Sequence, residues 1–220
     1  MHISVQRLNT VKDKVKEIFV RKQLKINPEI IAVTKTFSIN QIIPLLEVGH
    51  IHFGENKVQE AEKKWLSLKN SISNLKLHMI GRLQTNKAKK AVELFDYIHS
   101  LDSERLANEL NKRQKMVGKN LGYFIQINLG SEEQKGGVEI NDFKNFLDYC
   151  TKKLDLNILG LMAIPPNDGE PEKHFKKISE LNKQFNLQHL SIGMSGDYLK
   201  AIKFGASFVR IGSAIFGSRG

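Results

Sequence analysis

The chain has little of what marks a secreted or membrane-bound protein. Its 220 residues include one cysteine, Cys150, so no disulfide can form within the chain, which is consistent with a reducing compartment. No apolar run approaches the roughly 20 residues that a membrane span needs. Residues 1–7 lack the continuous apolar core of a signal peptide. We therefore expect a cytoplasmic protein that does not associate with membranes, and we expect Cys150 to be buried in a helix rather than reactive.

Acidic residues are also scarce relative to basic ones. The chain has 23 Asp and Glu residues against 34 Lys and Arg residues, which gives a formal net charge of +11. A basic surface attracts polyanions, so a polyanion-binding module is one hypothesis. The lysines are spread along the chain without a basic tail or a known nucleic-acid motif, and solvated helix faces explain them better. The seven histidines show no zinc-type spacing with the cysteine, so we predict no metal site.

Short apolar runs alternate with helix-like stretches along the chain. Eight runs rich in Ile, Val and Phe predict strands, at residues 30–35, 50–55, 76–81, 97–102, 123–129, 157–164, 189–195 and 208–217. Helical spacing of apolar residues covers 4–24, 38–48, 56–68, 103–116, 141–153, 171–185 and 197–204. Strands that alternate with helices over short connections imply a parallel sheet.

Eight strand–helix units predict an α/β fold of the (β/α)8 TIM-barrel type. We expect a single domain over residues 1–220, with an extra N-terminal helix before the first strand. The length is near the lower end for a fold that typically has about 250 residues, and a doubly wound open sheet is the alternative. Barrel enzymes gather their sites from the C-terminal ends of the strands. Polar residues near the ends of different predicted strands favour the barrel: Lys35, Glu55, Asn56, Arg82, Asp102, Asn128, Ser195 and Arg210.

Lys35 ends the first predicted strand, where core packing does not explain a lysine. Two Gly/Ser clusters follow the seventh and eighth strands: Gly193, Met194, Ser195 and Gly196, and then Gly212 and Ser213. The loops after these two strands often bind phosphate in barrels, because glycines let backbone N–H groups approach an anion. An amine and a phosphate site together predict pyridoxal 5′-phosphate (PLP), bound as a Schiff base on Lys35. The alternatives are a lysine that extends to solvent and glycines that only form tight turns.

Two more side chains fit the same ligand. Arg210 lies in the eighth predicted strand, and an arginine that points into a barrel needs an acceptor. The ring nitrogen of PLP would serve, and because arginine keeps its proton, that nitrogen would stay unprotonated. The alternative is a salt bridge to a barrel carboxylate such as Glu55. Asn56 could bond the phenolic oxygen of the ring, or cap the following helix, or both.

Other candidates are less specific. His78, Met79 and Met162 could line the barrel interior near the ring, with His78 better explained as a structural histidine whose hydrogen bonds are satisfied. The basic stretch 84–90 could attract an anionic ligand, although solvation explains it better. Lys135, on a glycine-rich loop, could be a second amine for an aldehyde or a surface lysine.

Six segments of the chain closely resemble the pyridoxal phosphate homeostasis protein family. They are AVTK at 32–35, FGEN at 53–56, MIGRLQTNK at 79–87, GLMAIP at 160–165, LSIGMS at 190–195 and VRIGSAIFG at 209–217. The resemblance implies a barrel that binds PLP, similar to the N-terminal domain of bacterial alanine racemase. It implies Lys35 as the Schiff-base lysine, and a ring nitrogen that faces Arg210. It also implies a phosphate held by Ser195 and by the backbone of Gly212 and Ser213. The sequence departs from the family at Arg82 and around Lys135, away from these residues.

The same resemblance implies a function. Family members are cytoplasmic carriers or regulators of PLP in vitamin B6 homeostasis, which suggests transfer to apo forms of PLP-dependent enzymes. The alternative is a PLP-dependent amino-acid racemase or decarboxylase. Two-base racemisation needs a second acid–base group on the opposite face of the cofactor, which racemases take from a second domain and a partner subunit. We expect no such domain here, because the sequence ends at Gly220. We therefore expect a monomeric carrier without catalytic activity.

Overall fold

Eight parallel strands close into a barrel in a computed structural model that describes residues 1–130 and 136–217. Strand order follows the sequence, and the last strand pairs back with the first, from Glu29 with Phe208 to Ala32 with Ile211. The strands are β1 Glu29–Val33, β2 His52–Glu55, β3 Lys76–Met79, β4 Tyr97–Leu101, β5 Gly122–Gln126, β6 Ile158–Met162, β7 His189–Met194 and β8 Phe208–Ile211. The predicted barrel is confirmed, and the open sheet is excluded.

A helix precedes the barrel, and one helix follows each strand within the described ranges. The helices are α1 Ile3–Arg21, α2 Ile39–Glu47, α3 Val58–Ser71, α4 Ala88–Leu94, α5 Glu104–Val117, α6 Phe143–Asp148, α7 Pro171–Gln184, α8 Tyr198–Lys203 and α9 Ser213–Phe216. A 3₁₀ turn, Thr85–Lys87, leads into α4, and a π-helical turn, Tyr149–Lys153, follows α6. The predicted extra N-terminal helix is therefore confirmed. None of the helices in these ranges is long and apolar enough to cross a membrane.

The predicted segments occur in the right order but differ at their ends. The prediction of one strand over residues 208–217 is wrong, because β8 ends at Ile211 and Ser213–Phe216 form α9. The predicted strand at 123–129 likewise ends at Gln126. Both runs stay apolar past the strand because the loop and helix residues that follow, such as Leu129 and Ile215, are buried too. Lys35 lies two residues beyond the end of β1 rather than within it.

The barrel interior forms a core of its own, separate from the core between sheet and helices. Ile31, Phe124, Met162 and Phe208 pack together inside the barrel. Met79, which we expected in the same place, packs in the outer core. Successive residues of a strand face opposite sides, so only one of the neighbours His78 and Met79 can point inward.

Cys150 is buried, as predicted, within the π-helical turn after α6. Burial raises the pKa of its thiol to about 12, and the carboxylate of Glu104 acts in the same direction. The thiol is therefore protonated at neutral pH.

A buried charge cluster joins the ends of β1 and β2 to α3. The carboxylate of Glu55 is fully buried, and its Oε1 accepts hydrogen bonds from the Thr34 hydroxyl (2.7 Å), the Trp65 indole (2.9 Å) and the Lys64 ammonium (2.9 Å). Lys64 also donates to the Thr34 carbonyl at 2.8 Å and to Glu60 at 3.0 Å. One ammonium group thus neutralises Glu55 and fixes the chain where β1 ends.

We expect Lys64→Met to lower the free energy of unfolding by about 3–5 kcal/mol, because removing one partner of a buried ion pair leaves an uncompensated charge. The matched control is Lys90→Met, which breaks the more exposed pair between Lys90 and Glu62 and should cost less than about 1 kcal/mol. Urea denaturation of both variants measures the difference. Equal losses would contradict the role of Lys64 as a buried counter-ion.

Candidate functional site

A cavity of about 550 Å³ lies at the C-terminal ends of the barrel strands, within the range of roughly 300–1,000 Å³ that is typical of ligand pockets. The seven residues predicted to bind the cofactor all line it: Lys35, Asn56, Met194, Ser195, Arg210, Gly212 and Ser213. The fold therefore brings together residues from both ends of the chain. Their individual contacts with a ligand stay predictions.

Sequence reasoning missed five residues that also line this cavity: Val33, Phe37, Ile80, Ile164 and Gly217. Ile80 and Ile164 stand two residues beyond His78 and Met162, which point into the barrel. Alternate residues of a strand face the same side, and extending this pattern past the ends of β3 and β6 would have identified both isoleucines. Phe37 stacks on Phe216, with ring centroids 4.6 Å apart, and no local pattern in the sequence links the two.

The backbone next to Lys35 turns sharply. Thr36 has φ +69°, a conformation that is rare for a β-branched residue, and its N–H donates to Oε1 of Glu60 at 2.6 Å. Burial alone would raise the pKa of Glu60, but the hydrogen bonds from Thr36 and Lys64 bring it below its ordinary value. A charged Glu60 thus holds the strained turn, and backbone strain of this kind is concentrated at functional sites.

The two Gly/Ser clusters meet at Ser195. Its hydroxyl accepts hydrogen bonds from the backbone N–H groups of Gly212 at 3.1 Å and Ala214 at 3.2 Å. Gly193 has φ +90°, and a Cβ there would lie 2.6 Å from the Cβ of Ala201, so this turn requires glycine. Hydroxyl and amide groups from two loops therefore face one side of the cavity, which is the chemistry that an anion needs.

Arg210 is 4% exposed, and its guanidinium is held by the barrel backbone. Nη1 donates to the carbonyl of Ser191 at 2.7 Å and to its hydroxyl at 2.8 Å, and Nη2 donates to the carbonyl of Ala163 at 3.0 Å. The alternative of a salt bridge to Glu55 is wrong, because Glu55 pairs with Lys64. Burial lowers the pKa of Arg210 to about 10, so it stays a cation at neutral pH. Three of its five N–H groups are used, which leaves donors for a ligand in the cavity.

Asn56 does not cap the helix that follows it. Helix α3 begins at Val58, and Lys57 occupies the N-cap position. The other interpretation of Asn56, as a donor to the ring, stays a prediction.

A second cavity, of about 940 Å³, adjoins the first and shares Asn56 with it. Its charged lining residues are Lys57, Arg82, Lys87, Asp102 and Arg105. The basic stretch 84–90 is therefore divided, since Lys87 lines this cavity and Lys90 pairs with Glu62. Lys135 lies outside the described residues.

Three histidines from consecutive strands, His52, His78 and His99, form a row inside the barrel, which we call the histidine row. Nδ1 of His52 lies 2.9 Å from Nε2 of His78, and Nδ1 of His78 lies 2.9 Å from Nε2 of His99. Nδ1 of His99 then lies 2.8 Å from the hydroxyl of Ser191, which also contacts Arg210. The prediction that His78 is structural and satisfied is confirmed. His52 and His99 were missed, although each of the three histidines directly follows an aliphatic residue in the sequence.

Comparison with known proteins agrees with this geometry. The family model described as alanine racemase, N-terminal domain, matches residues 8–220. A pyridoxal phosphate homeostasis protein from Aquifex aeolicus (strain VF5) is 38% identical over 224 aligned residues, which cover 97% of this chain and 97% of that protein.

Two solved structures of PipY from Synechococcus elongatus PCC7942 have the same fold. The structure without PLP has a TM-score of 0.83 and 33% identity, over 98% of this chain and 100% of that one. The structure with PLP bound has a TM-score of 0.80 and 32% identity, over 94% of this chain and 100% of that one.

The buried histidines also determine how the protein responds to acid. Burial lowers the pKa of His78 and His99 well below the ordinary value, with a further lowering of His99 by the charge of Arg210. Burial and the nearby charge of Lys12 lower the pKa of His50 from 6.5 to about 4. Between these two values the unfolded chain binds more protons than the folded chain, so stability rises with pH there.

We therefore expect the free energy of unfolding to be largely constant between pH 7 and pH 8 and to fall as the pH drops from 6.5 towards 4. His50 alone should account for about 2 kcal/mol of the loss between pH 7.5 and 5. Urea denaturation at both pH values tests this. His50→Gln should lose about that much of the pH dependence. An identical pH dependence in His50→Gln and the wild type would contradict the prediction.

Proposed function

This chain belongs to the pyridoxal phosphate homeostasis protein family, and from that membership and the cavity at Lys35 we propose that it binds PLP as a Schiff base on Lys35 and carries or buffers it. We also propose that it acts as a monomer in the cytoplasm and delivers PLP to apo-enzymes. The proposal is supported by relatives named for PLP homeostasis and by the related structure that contains PLP.

One observation carries the proposal, the convergence of an amine, a cation and an anion site on one cavity. Lys35, Arg210 and the loops joined by Ser195 line the same space, although they come from opposite ends of the chain. A phosphorylated pyridine aldehyde needs these three partners: an amine for its aldehyde carbon, a donor for its ring nitrogen, and backbone and hydroxyl donors for its phosphate. We propose that Asn56 hydrogen-bonds the phenolic oxygen, and that Met194 lies beside the Gly/Ser loops that hold the phosphate.

Bound PLP supplies an electrophilic carbon and a ring that can accept electrons. The protein controls the second property through Arg210. Because a guanidinium stays protonated and only donates, it leaves the ring nitrogen unprotonated. An unprotonated pyridine accepts electrons poorly, which suits storage of the cofactor better than chemistry on an amino acid.

The lining of the cavity also favours a carrier over a racemase or decarboxylase. Racemisation by two bases needs a second proton-exchanging group across the cofactor from the lysine. Among the described residues that line the cavity, Lys35 is the only Lys, His, Cys, Tyr, Asp or Glu. Arg210 is also present, but arginine does not exchange its proton near neutral pH.

We expect the wild-type protein to develop a visible absorption band with PLP that borohydride removes, and Lys35→Ala to lack that band, because the imine needs the amine of Lys35. The matched control is Lys57→Ala, which removes an exposed lysine from the neighbouring cavity. This control should keep the band. Far-UV circular dichroism of each variant verifies the fold. A full band in folded Lys35→Ala would contradict the assignment of Lys35.

We expect the PLP-loaded protein to restore the activity of an apo form of a PLP-dependent enzyme, and the same preparation reduced with borohydride to restore none, because reduction fixes the cofactor to Lys35. Incubation of the loaded protein with single L-amino acids should give no D-enantiomer or amine above the level with free PLP. Steady turnover of one amino acid, abolished in Lys35→Ala, would favour the racemase or decarboxylase alternative instead.

A further inference from the structure

A continuous set of hydrogen bonds crosses the barrel interior from the cavity at Arg210 towards the opposite face. It runs from Arg210 through the Ser191 hydroxyl into the histidine row, over heavy-atom distances of 2.8, 2.8, 2.9 and 2.9 Å. The far end, His52, begins β2 and lies near the carboxylate of Glu29, with Nε2 and Oε2 3.7 Å apart. Polar side chains on five strands therefore connect the two faces of the barrel.

The Arg210 end of this set decides which atoms donate. The guanidinium of Arg210 can only donate, so the Ser191 hydroxyl oxygen accepts from it. Ser191 is fully buried, and among the described residues its hydroxyl lies 2.8 Å from Nδ1 of His99, so its proton goes to that nitrogen. A neutral imidazole has one donor and one acceptor nitrogen, so Nε2 of His99 must donate.

The remaining tautomers follow one after another. Since Nε2 of His99 donates, Nδ1 of His78 accepts, and Nε2 of His78 must then donate to Nδ1 of His52. The proton of His52 is left on Nε2, which lies 3.7 Å from the Glu29 carboxylate, beyond hydrogen-bond distance but on the side of a negative charge. Every hydrogen bond thus runs in the same direction, from Arg210 to His52, and all three imidazoles carry their proton on Nε2.

Packing and burial keep the rings in this arrangement. His78 lies flat against Tyr97, with centroids 4.4 Å apart and planes 8° apart, and His99 lies against Phe124 at 4.3 Å and 15°. His78 and His99 are fully buried, which favours their neutral form. A neutral ring has no second proton to donate, and a stacked ring cannot flip freely. The donor and acceptor roles in these hydrogen bonds are therefore not easily reversed.

We propose that the histidine row and Ser191 are positioning residues, a one-directional hydrogen-bond relay that fixes the Arg210 guanidinium for the ring nitrogen of the bound cofactor. The relay accepts one N–H of Nη1 at the Ser191 hydroxyl and so limits rotation of the guanidinium. The positioning of a ligand by Arg210 rests on the proposed function. The tautomers follow from this chain's own contacts and can be tested without any ligand.

The first experiment is side-chain ¹H–¹⁵N NMR of the protein prepared without PLP, at neutral pH. We expect His52, His78 and His99 to appear as neutral imidazoles protonated on Nε2. Single His→Gln substitutions assign the signals, and His189, inside the barrel but bonded to Ser207 instead, is the comparison. A proton on Nδ1 of His78 or His99 would overturn the relay whether or not the protein binds PLP.

The second experiment breaks the junction with Ser191→Ala, which removes the hydroxyl and keeps the carbonyl that Arg210 also contacts. We expect PLP to bind about tenfold more weakly, as the loss of one hydrogen bond to a charged group predicts. In an Arg210→Met background the same substitution should change PLP affinity less than about twofold, because its effect acts through Arg210. The control, Ser207→Ala, removes another buried hydroxyl, one outside the relay, and should leave affinity unchanged.

The outcomes separate the two proposals. Equal weakening by Ser191→Ala with and without Arg210 would refute the positioning role. If Arg210→Met binds PLP too weakly to measure, rotation of the Arg210 Nη groups in the protein without PLP decides instead. It should be faster in Ser191→Ala than in the wild type, and unchanged rotation refutes the proposal. Failure of the wild type to bind PLP would refute the proposed function and leave the NMR result to decide on the relay.

Discussion

A cation inside a closed barrel is the constraint on which this structure depends. Burying a charge costs several kcal/mol unless hydrogen bonds replace its lost water. Arg210 obtains three of them from Ser191 and Ala163, on neighbouring parts of the barrel wall. The polar groups further inside follow from this, because the Ser191 hydroxyl needs an acceptor of its own and finds it in His99. The interior is therefore part aromatic core and part hydrogen-bond network.

The barrel could be predicted because its signal is local and repeated. Each strand is a short apolar run and each helix has its own apolar spacing, so counting the units gave the fold. The ends of the elements were less predictable, because burial does not stop where hydrogen-bond pairing stops. The run over residues 208–217 shows this, since Ile211 ends a strand and Ile215 lies in a helix, but both are fully buried.

The candidate site could be predicted where residue type was unusual for its position. Packing alone poorly explains Lys35, Arg210 and the Gly/Ser loops. We therefore interpreted these residues as parts of a binding site. Phe37 and Ile80 look like ordinary core residues, and only the fold shows that they face the cavity. The histidine row depends on the stagger between parallel strands, which places His78 beside Gly54 in the pairing and within reach of His52. The stagger between neighbouring strands cannot be read directly from the amino-acid sequence.

The burial of Cys150 has a chemical consequence for a protein with an amine at its cavity. Sulfur reacts as the thiolate, and this thiol is both protonated and out of reach of solutes. Because the chain has no other cysteine, no sulfur nucleophile in it competes with lysine for an aldehyde. The same burial protects this thiol from mild oxidants and from mixed disulfides. Its behaviour towards carbonyl compounds is therefore decided by nitrogen alone.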